Sequence, residues 1–532
     1  MAAKWLDPHH HHEVQTVVTK GPSSSGDALT QNLTSGDAVG LLQRANGMFF
    51  TPTSVAQSLL ENFFRGRRYE IRRVLDLAAG AGSLLLAAAR TFGGPLTLVG
   101  VEIDAAVAAR CASELARQIS PMHRVEIVCA NGLDPQVNSR LMAEFNGFDL
   151  VFGNPPFLSP RLRSQRYLPV NGVDWGELRR LYPDIAGPTT DLSAYFVARA
   201  FAQLRVGGIC AMIVPISFLS SEGAAKVRAV IEDQGEVLQV DRLPADSFVA
   251  SVNTVCVWMQ KRRDTSSTAE LGWTSWGSWI AESPSLELVV RHRLVEVARV
   301  TAGFRDEFYQ VARAVSEEPR VGEVAQLGDD DRCRVTRWHR VLTVGHLGWG
   351  EPRWGARAVK IGGQKFLRPV IARATLETMS PSIRGLLRPK LVVAPQKKIV
   401  APWVDAGGTT IPLTPVVSVL PHQSAGSDLS RLAAAIGSPV AAAFLEQRCA
   451  GTALSASALK FSARDLGQLP LPSDQAAWSR AGRVWPPTDD ASLSLYLGAM
   501  RGAYGIEGQS WGDLVRWWLA RAGLNRRLRD GG

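Results

Sequence analysis

In Val74-Leu75-Asp76-Leu77-Ala78-Ala79-Gly80-Ala81-Gly82-Ser83-Leu84 an aliphatic run ends on an acid, two glycines follow one residue apart, and an apolar helical pattern begins at Ser83. That order predicts a buried strand, a tight turn and a helix packed back on the strand. Glycine at 80 and 82 lets the backbone approach a ligand closely. In an open α/β sheet such a place, outside the carboxyl end of a strand, is where ligands bind. The acid matters as much as the glycines. The DxxxGxG spacing departs from the GxGxxG fingerprint of dinucleotide sites, and Asp76 disfavours a phosphate while suiting a cationic or amino group.

The same arrangement recurs downstream. Gly100-Val101-Glu102-Ile103-Asp104 ends a second apolar run on Glu102, an acid able to take both hydroxyls of a ribose, with Ile103 beside it to pack on adenine. An acid for an amino group followed by an acid for a ribose suits S-adenosylmethionine better than a nicotinamide dinucleotide. Strands are expected over 73–77, 96–101, 125–129, 148–152, 209–215, 237–241 and 254–260, with helices such as 83–90 and 105–118 between them. This alternation makes a largely parallel sheet with helices on its faces, so the fold class is α/β, a Rossmann-like doubly wound sheet.

The strand at 148–152 runs through Gly153 into Asn154-Pro155-Pro156-Phe157, 78 residues after Asp76. Consecutive prolines fix the backbone and remove two donors, which lets the Pro155 carbonyl and the Asn154 side-chain oxygen point at one spot. Two acceptors converging there hold a planar amino group by its hydrogens. Phe157 supplies a ring to stack on the ring that carries the amine. Asn154, Pro155, Pro156 and Phe157 are therefore the candidate catalytic residues. A proline-rich turn closing a core strand is the plain alternative, and the joint spacing with the glycine loop weighs against it.

The 532 residues are 46% hydrophobic and 20% charged, a globular composition with room for two or three domains. The net charge of +10 is unevenly spread. Residues 1–264 hold 26 basic and 25 acidic side chains, residues 265–532 hold 33 and 24, and between 332 and 398 fifteen Lys and Arg face only Glu351 and Glu377. Twelve of the 15 tryptophans also lie beyond residue 264. The six cysteines show no CxxC or Cys/His spacing, so neither a disulfide framework nor a metal site is expected. No apolar run reaches the roughly 18 residues of a membrane span and no signal-peptide pattern appears, which predicts no membrane association and a cytoplasmic location. Residues 1–44, rich in Ser, Gly and Thr and carrying four consecutive histidines from His9 to His12, read as a flexible N-terminal segment outside the functional argument. Regular alternation fills 45–264. Residues 265–532 read as a separate, β-rich or mixed domain, with strand-like runs at 390–394 and 416–420, a helix over 429–448 and a helical tail from 492 to 529.

Together these motifs resemble the amino-group methyltransferases dependent on S-adenosylmethionine, most closely the gamma-class DNA adenine-N6 methyltransferases with a C-terminal target-recognition domain. The resemblance covers nearly all of residues 46–472. It includes Gly47-Met48-Phe49-Phe50-Thr51-Pro52, which stands where the family has a G-x-F-[YF]-T-P segment and implies that Thr51 helps hold the methionine carboxylate. Asp76, Gly80 and Gly82 match the family's methionine-side loop, Glu102 its ribose ligand, and Asn154, Pro155 and Phe157 its catalytic tetrapeptide. Where the family often has an acid bonding the cofactor's adenine amine, this chain reads Asn131-Gly132-Leu133-Asp134. Asn131 is the expected acceptor, with Asp134 as its alternative. Asp191, in a later core segment, is expected to cap a helix. Phe248 stands where the family offers a second aromatic against the target base. Residues 388–396 and 457–472 look like segments that recur in target-recognition domains.

The resemblance implies methyl transfer from S-adenosylmethionine to the N6 amine of adenine in double-stranded DNA, as the modification enzyme of a restriction-modification or phage-defence system. Cytosine N4, a guanine amine of ribosomal RNA and a release-factor glutamine are alternative acceptors, because NPP[FY] serves those amines too. Arg334, Arg337, Arg340, Lys360, Lys365, Lys397 and Lys398 are the expected DNA contacts, phosphates first and base edges second. Cognate restriction or defence proteins are implied partners, and a monomer satisfies the sequence. The segment 158–190, carrying Arg161, Arg163, Arg166, Arg179 and Arg180, is expected to close over the target. No PD-(D/E)xK pattern is present, so a fused nuclease is not expected.

Overall fold

The computed structural model describes residues 19–20, 51–160, 173–244, 253–262, 276–285, 288, 290–302, 307–318, 338–349, 352–422, 429–450, 458–506 and 508–523. The chain divides into two units, Met1–Leu271 and Gly272–Gly532.

The first unit is built on β1 (Thr19–Lys20), β2 (Arg73–Asp76), β3 (Thr97–Glu102), β4 (Arg124–Cys129), β5 (Phe148–Gly153), β6 (Leu204–Pro215), β7 (Gly235–Arg242) and β8 (Thr254–Lys261). They form one sheet in the order β1-β4-β3-β2-β5-β6-β8-β7, and only β8 runs antiparallel to its neighbours. Helices α1 (Thr53–Phe64), α2 (Ser83–Thr91), α3 (Ala105–Gln118), α4 (Pro135–Phe145), α5 (Trp175–Leu181), α6 (Leu192–Ala202) and α7 (Ala225–Gln234) connect them. Val74, Leu75, Leu98, Val99, Leu150 and Val151 are fully buried, as strands covered on both faces require. Phe63 anchors α1 by stacking on Trp258 of β8, with centroids 3.9 Å apart and planes 4° from parallel.

The expected α/β doubly wound class holds, with two differences. β6 starts at Leu204 rather than 209, because a register shift opposite β5 and the left-handed Gly207 (φ 79°) let pairing resume beyond the irregularity. Thr19–Lys20, read as part of a flexible segment, instead forms an edge strand. It pairs in parallel with Val128 and Cys129, satisfying backbone groups that the edge of β4 would otherwise expose.

The path of the chain places the site. From β2 it moves outward through β3 and β4, then returns to lay β5 on the other side of β2. Where the winding reverses, the loops leaving β2 and β5 diverge and open a crevice at the carboxyl ends of the strands. Asp76 ends β2 and Asn154 follows β5, so both emerge there.

The second unit contains β9 (Ala298–Thr301), β10 (Ser316–Glu317), β11 (Trp338–Leu342), β12 (Val359–Ile361), β13 (Gln364–Phe366), β14 (Pro369–Ala372), β15 (Lys390–Val393), β16 (Gln396–Lys397), β17 (Pro402–Asp405), β18 (Thr410–Pro412), β19 (Val417–Pro421) and β20 (Leu459–Lys460). Two four-stranded sheets, β10-β14-β11-β18 and β17-β15-β19-β9, accompany the two-stranded pairs β12-β13 and β16-β20. The helix expected over 429–448 is two helices, α8 (Leu429–Ile436) and α9 (Pro439–Cys449), bent by 55°. Pro439 cannot continue the hydrogen-bond ladder, and Ser438 caps α9 by accepting from Ala441 N at 3.1 Å. After α10 (Gln475–Val484), the expected helical tail is likewise two helices, α11 (Asp490–Tyr504) and α12 (Gln509–Ala522), because Gly505 ends α11 in the left-handed conformation (φ 65°). Among the described residues no single helix is long and apolar enough to cross a membrane.

One cation of the basic stretch belongs to this unit's core. Lys390 and Asp405 are register partners on β15 and β17, exposed by 0% and 2%, with Lys390 Nζ 2.5 Å from Asp405 Oδ2. The Thr410 hydroxyl and amide donate to the same oxygen at 2.7 and 3.1 Å. Burial lowers the Lys390 pKa despite the nearby carboxylate. Burial works to raise Asp405, but Lys390 and the Thr409 and Thr410 donors hold it below the usual carboxylate range. Lys390→Met is expected to strand a buried carboxylate and cost about 3–5 kcal/mol of stability. A denaturation midpoint unchanged from that of the parent chain would refute this.

Candidate functional site

Asp76 is 1% exposed. Its Oδ1 accepts from Ala78 N at 3.0 Å, whereas its buried Oδ2 has no hydrogen-bond partner among the described residues. Burial pushes the carboxyl up to about 7; the Ala78 amide opposes that shift and the charge of Glu102 adds to it. A buried carboxylate oxygen without a donor is costly, so the site favours a ligand that brings a cationic N–H to it. Gly80 (φ 52°) and Gly82 (φ 84°) carry the chain across the end of β2 in left-handed conformations that favour glycine. A Cβ on Gly82 would also stand 2.9 Å from Cys111 Sγ.

Glu102, ending β3, accepts from Gly80 N through Oε2 at 2.9 Å and from Asp104 N through Oε1 at 3.0 Å. Each carboxylate oxygen can accept a second hydrogen bond. Ile103 beside it is 49% exposed, a large apolar side chain turned to solvent. After β4, the exposed Asn131 turns its Oδ1 to Leu133 N at 2.9 Å, and Asp134 caps α4 by accepting from Gln136 N at 2.8 Å. Gly132 allows this loop to press against the end of β2, since a Cβ there would lie 2.1 Å from the Leu77 carbonyl oxygen.

Asn154 Nδ2 donates to Thr51 Oγ1 at 2.9 Å, which ties the end of β5 to the residues leading into α1. That contact orients the amide, with its buried Oδ1 at the opposite end. Asp76, Gly153, Pro155 and Phe196 line one small recess, so the carboxylate and the proline motif share a space. A Cβ on Gly153 would stand 3.6 Å from Asp76 Oδ1 and 3.2 Å from Met212 Cε. Pro156 and Phe157 are half-buried, the latter against the apolar core around β2 and β5. Leu192 N donates to the Leu158 carbonyl at 2.9 Å, fixing the exit of the motif to α6. Asp191 caps α6, as expected, accepting from Ser193 N and Oγ at 3.0 and 2.8 Å. Burial pushes the Asp191 carboxyl up to about 6 against those two bonds.

Of the expected residues, Asp76 and Glu102 end β2 and β3, Gly80, Gly82, Ile103, Asn131 and Asn154 to Phe157 stand on the turns that follow the strands, and Thr51 lies just before α1. Gly47 to Phe50, Arg161, Arg163, Arg166, Phe248, Arg334 and Arg337 lie outside the described residues. Arg179 and Arg180 are on α5, where Arg180 pairs with Glu177 at 3.5 Å. Phe196 was not singled out from the sequence. It sits in an apolar helix whose pattern marks burial without telling which ring borders the recess.

In the second unit, Lys360 and Lys365 face each other across the β12-β13 hairpin, whose tip is Gly362-Gly363 with φ of 56° and 93°. Ile361 and Phe366 point into the core while both lysines are exposed. Like charges directly opposite are unfavourable unless an anion lies between them. Arg340 and Arg368 lie over the Trp354 ring at 4.6 and 5.0 Å. Burial lowers the Lys397 pKa, with Arg353 and Arg357 adding to the shift, and Lys398 is exposed. Among the described residues, none of Arg340, Lys360, Lys365, Lys397 and Lys398 forms an ion pair with a carboxylate.

Residues 41–271 match the family model described as N-6 DNA Methylase. The methylase subunit of the type I restriction enzyme MpnII from Mycoplasma pneumoniae is 26% identical over 230 residues, which are 42% of this chain and 41% of that protein. A tRNA1(Val) (adenine(37)-N6)-methyltransferase from an Enterobacter species is 35% identical over 92 residues, 17% of this chain and 34% of that one. This chain thus matches less than half the length of either relative. Of solved structures, the M protein of the type I restriction enzyme EcoKI aligns with 40% of this chain and 44% of its own at 18% identity and a TM-score of 0.29. Every residue of the crevice falls inside the matched segment. Residues 41–271 are therefore similar to the N-6 DNA methylases, and the crevice they carry is one for S-adenosylmethionine.

Proposed function

We propose that this protein methylates the N6 amine of adenine in double-stranded DNA as part of a restriction-modification or phage-defence system. The observation that carries the reading is that Asp76, whose Oδ2 has no partner among the described residues, lines one recess with Gly153 and Pro155, the two neighbours of Asn154 in the proline motif. S-adenosylmethionine fits the residues present. Asp76 would take its amino group, Glu102 its ribose hydroxyls, and Ile103 and Asn131 its adenine, with Thr51, Gly80 and Gly82 along the methionine side. When bound it supplies a methyl group on a sulfonium, whose positive charge is lost on transfer.

The adenine amine is a weak nucleophile because its lone pair is delocalised into the ring. Asn154 Oδ1 and the Pro155 carbonyl accept its two hydrogens, localise electron density on nitrogen and orient it for attack. Pro156 stiffens that turn. The displaced proton leaves to solvent afterwards, so no strong base is needed beforehand. Reaching the amine in a duplex requires flipping the nucleotide out, and stacking on Phe157 offsets an unstacking cost of a few kcal/mol. Phe248 is proposed for the other face of the base.

The exposed pair Lys360 and Lys365, with Arg340, Lys397 and Lys398, supports DNA as the partner. Arg334 and Arg337 extend this set in sequence. If the five described cations each neutralise one phosphate, affinity is expected to fall several hundred-fold, roughly, between 50 and 200 mM salt, at about −0.9 in log-log slope per contact. Fluorescence anisotropy with labelled duplex would measure this, and a flat salt dependence would refute it. Cognate restriction proteins are proposed partners. Mass spectrometry of DNA from cells with and without the gene tests the target base. N6-methyladenine is expected only with the gene, and methylcytosine in its place would overturn the reading.

A further inference from the structure

Thr51 is 3% exposed and its Oγ1 lies 2.9 Å from Asn154 Nδ2, a side-chain contact across 103 positions of sequence. Both sides of the contact are braced. The Pro52 carbonyl accepts from Ala56 N at 3.1 Å, which joins Thr51 to the first turn of α1, and α1 is held by the Phe63–Trp258 stack. Asn154 leaves a fully buried strand and is followed by two prolines that restrict its backbone.

A carboxamide has an acceptor at one end and two donors at the other. Facing an amine that offers two hydrogens, it attracts only when Oδ1 leads; turned over, it sets NH2 against NH2. The two orientations have nearly the same shape, so packing alone does not choose between them. A neighbour with hydrogen-bonding polarity does.

We infer that Thr51 is a positioning residue for methyl transfer: by accepting from Asn154 Nδ2, its hydroxyl turns the amide so that Oδ1 receives the target amine. This rests on the amino-methyltransferase reading above and adds to it a step that the carboxylate-holding role of Thr51 does not contain. The two are compatible, because the hydroxyl still has its own proton to donate while its oxygen accepts.

Thr51→Val keeps the shape and removes the hydroxyl, and Thr51→Ser keeps the hydroxyl. With the full chain, N6-methyladenine formed on unmethylated genomic DNA is followed at saturating S-adenosylmethionine, alongside cofactor affinity by calorimetry and the denaturation midpoint. Thr51→Val is expected to lower kcat about tenfold, the scale of one lost orienting hydrogen bond, with its midpoint still above the assay temperature. Thr51→Ser is expected to recover most of that loss. An unchanged kcat in Thr51→Val, or a loss confined to cofactor affinity and cured by more cofactor, overturns the inference. If Thr51→Val does not fold, Thr51→Cys, whose sulfur is a weak acceptor, takes its place with the same two outcomes. An unaltered chain that forms no N6-methyladenine, seen before any variant is compared, overturns the adenine reading and this inference with it.

Discussion

Asn154→Ala is expected to abolish methyl transfer while leaving S-adenosylmethionine binding within a few-fold of the parent chain. The substitution removes the side-chain acceptor proposed for the target amine and takes from Thr51 Oγ1 the Asn154 Nδ2 donor. It touches none of the bonds that shape the opposite wall, where Ala78 N holds Asp76 and the Gly80 and Asp104 amides hold Glu102. Loss of one preorganised group at the reacting centre typically costs about 10²–10³ in kcat. Here the loss is compounded, because the Pro155 carbonyl alone cannot orient a group with two hydrogens. Single-turnover methyl incorporation separates chemistry from release, and calorimetry reports cofactor affinity. Normal turnover would remove Asn154 from the reaction. A parallel collapse of cofactor affinity would make the amide part of the crevice wall rather than the substrate's partner.

The next largest effect is electrostatic and turns on Asp76, whose carboxyl burial pushes up to about 7. A cationic amino group binds its anion, so in the free protein the competent form is depleted below pH 7. Cofactor affinity is expected to fall about tenfold per unit as pH drops below that value and to level off above it. Stability moves the opposite way. A folded-state pKa above the unfolded one means that the folded chain holds the proton more tightly. The free protein therefore loses stability as pH rises from the ordinary carboxylate range through 7, by an amount on the order of a few kcal/mol. Asp76→Asn removes that penalty and also the charge that attracts the ligand. At pH 8 it is expected to raise the denaturation midpoint of the cofactor-free chain while weakening cofactor binding about a hundredfold or more. An acid present only for packing would not separate the two readouts. Affinity that stays flat between pH 5.5 and 8 would contradict the assignment.

The residues differ in how far their surroundings could be read in advance. β2, β3 and β5 are covered on both faces, so each is a continuous aliphatic run bounded by turn residues, and their ends were legible to within a residue or so. The bend between α8 and α9 was also signalled, by Gly437-Ser438-Pro439, but an apolar Ala-rich pattern on either side reads as one helix. The reason glycine stands there is tertiary: a Cβ at 437 would lie 2.0 Å from Trp485 Cη2, almost fifty positions away. Lys390 shows the same limit. In sequence it is one more cation in a basic stretch, and only the β15-β17 register sets it against Asp405 in the core.

What the sequence determined by itself is the α/β class, the order of its strands and which turns carry acids, glycines and prolines, because those follow from local periodicity and residue type. What only the tertiary structure decided is which atoms meet. Winding in opposite directions from β2 brings Asp76 and Asn154 to the same end of the sheet and sets Thr51 Oγ1 against the Asn154 amide. Register buries one lysine while it leaves Lys360 and Lys365 opposed on the surface. Contacts between residues a hundred positions apart depend on how strands pair and helices pack, and no local pattern encodes the distance between two side-chain atoms.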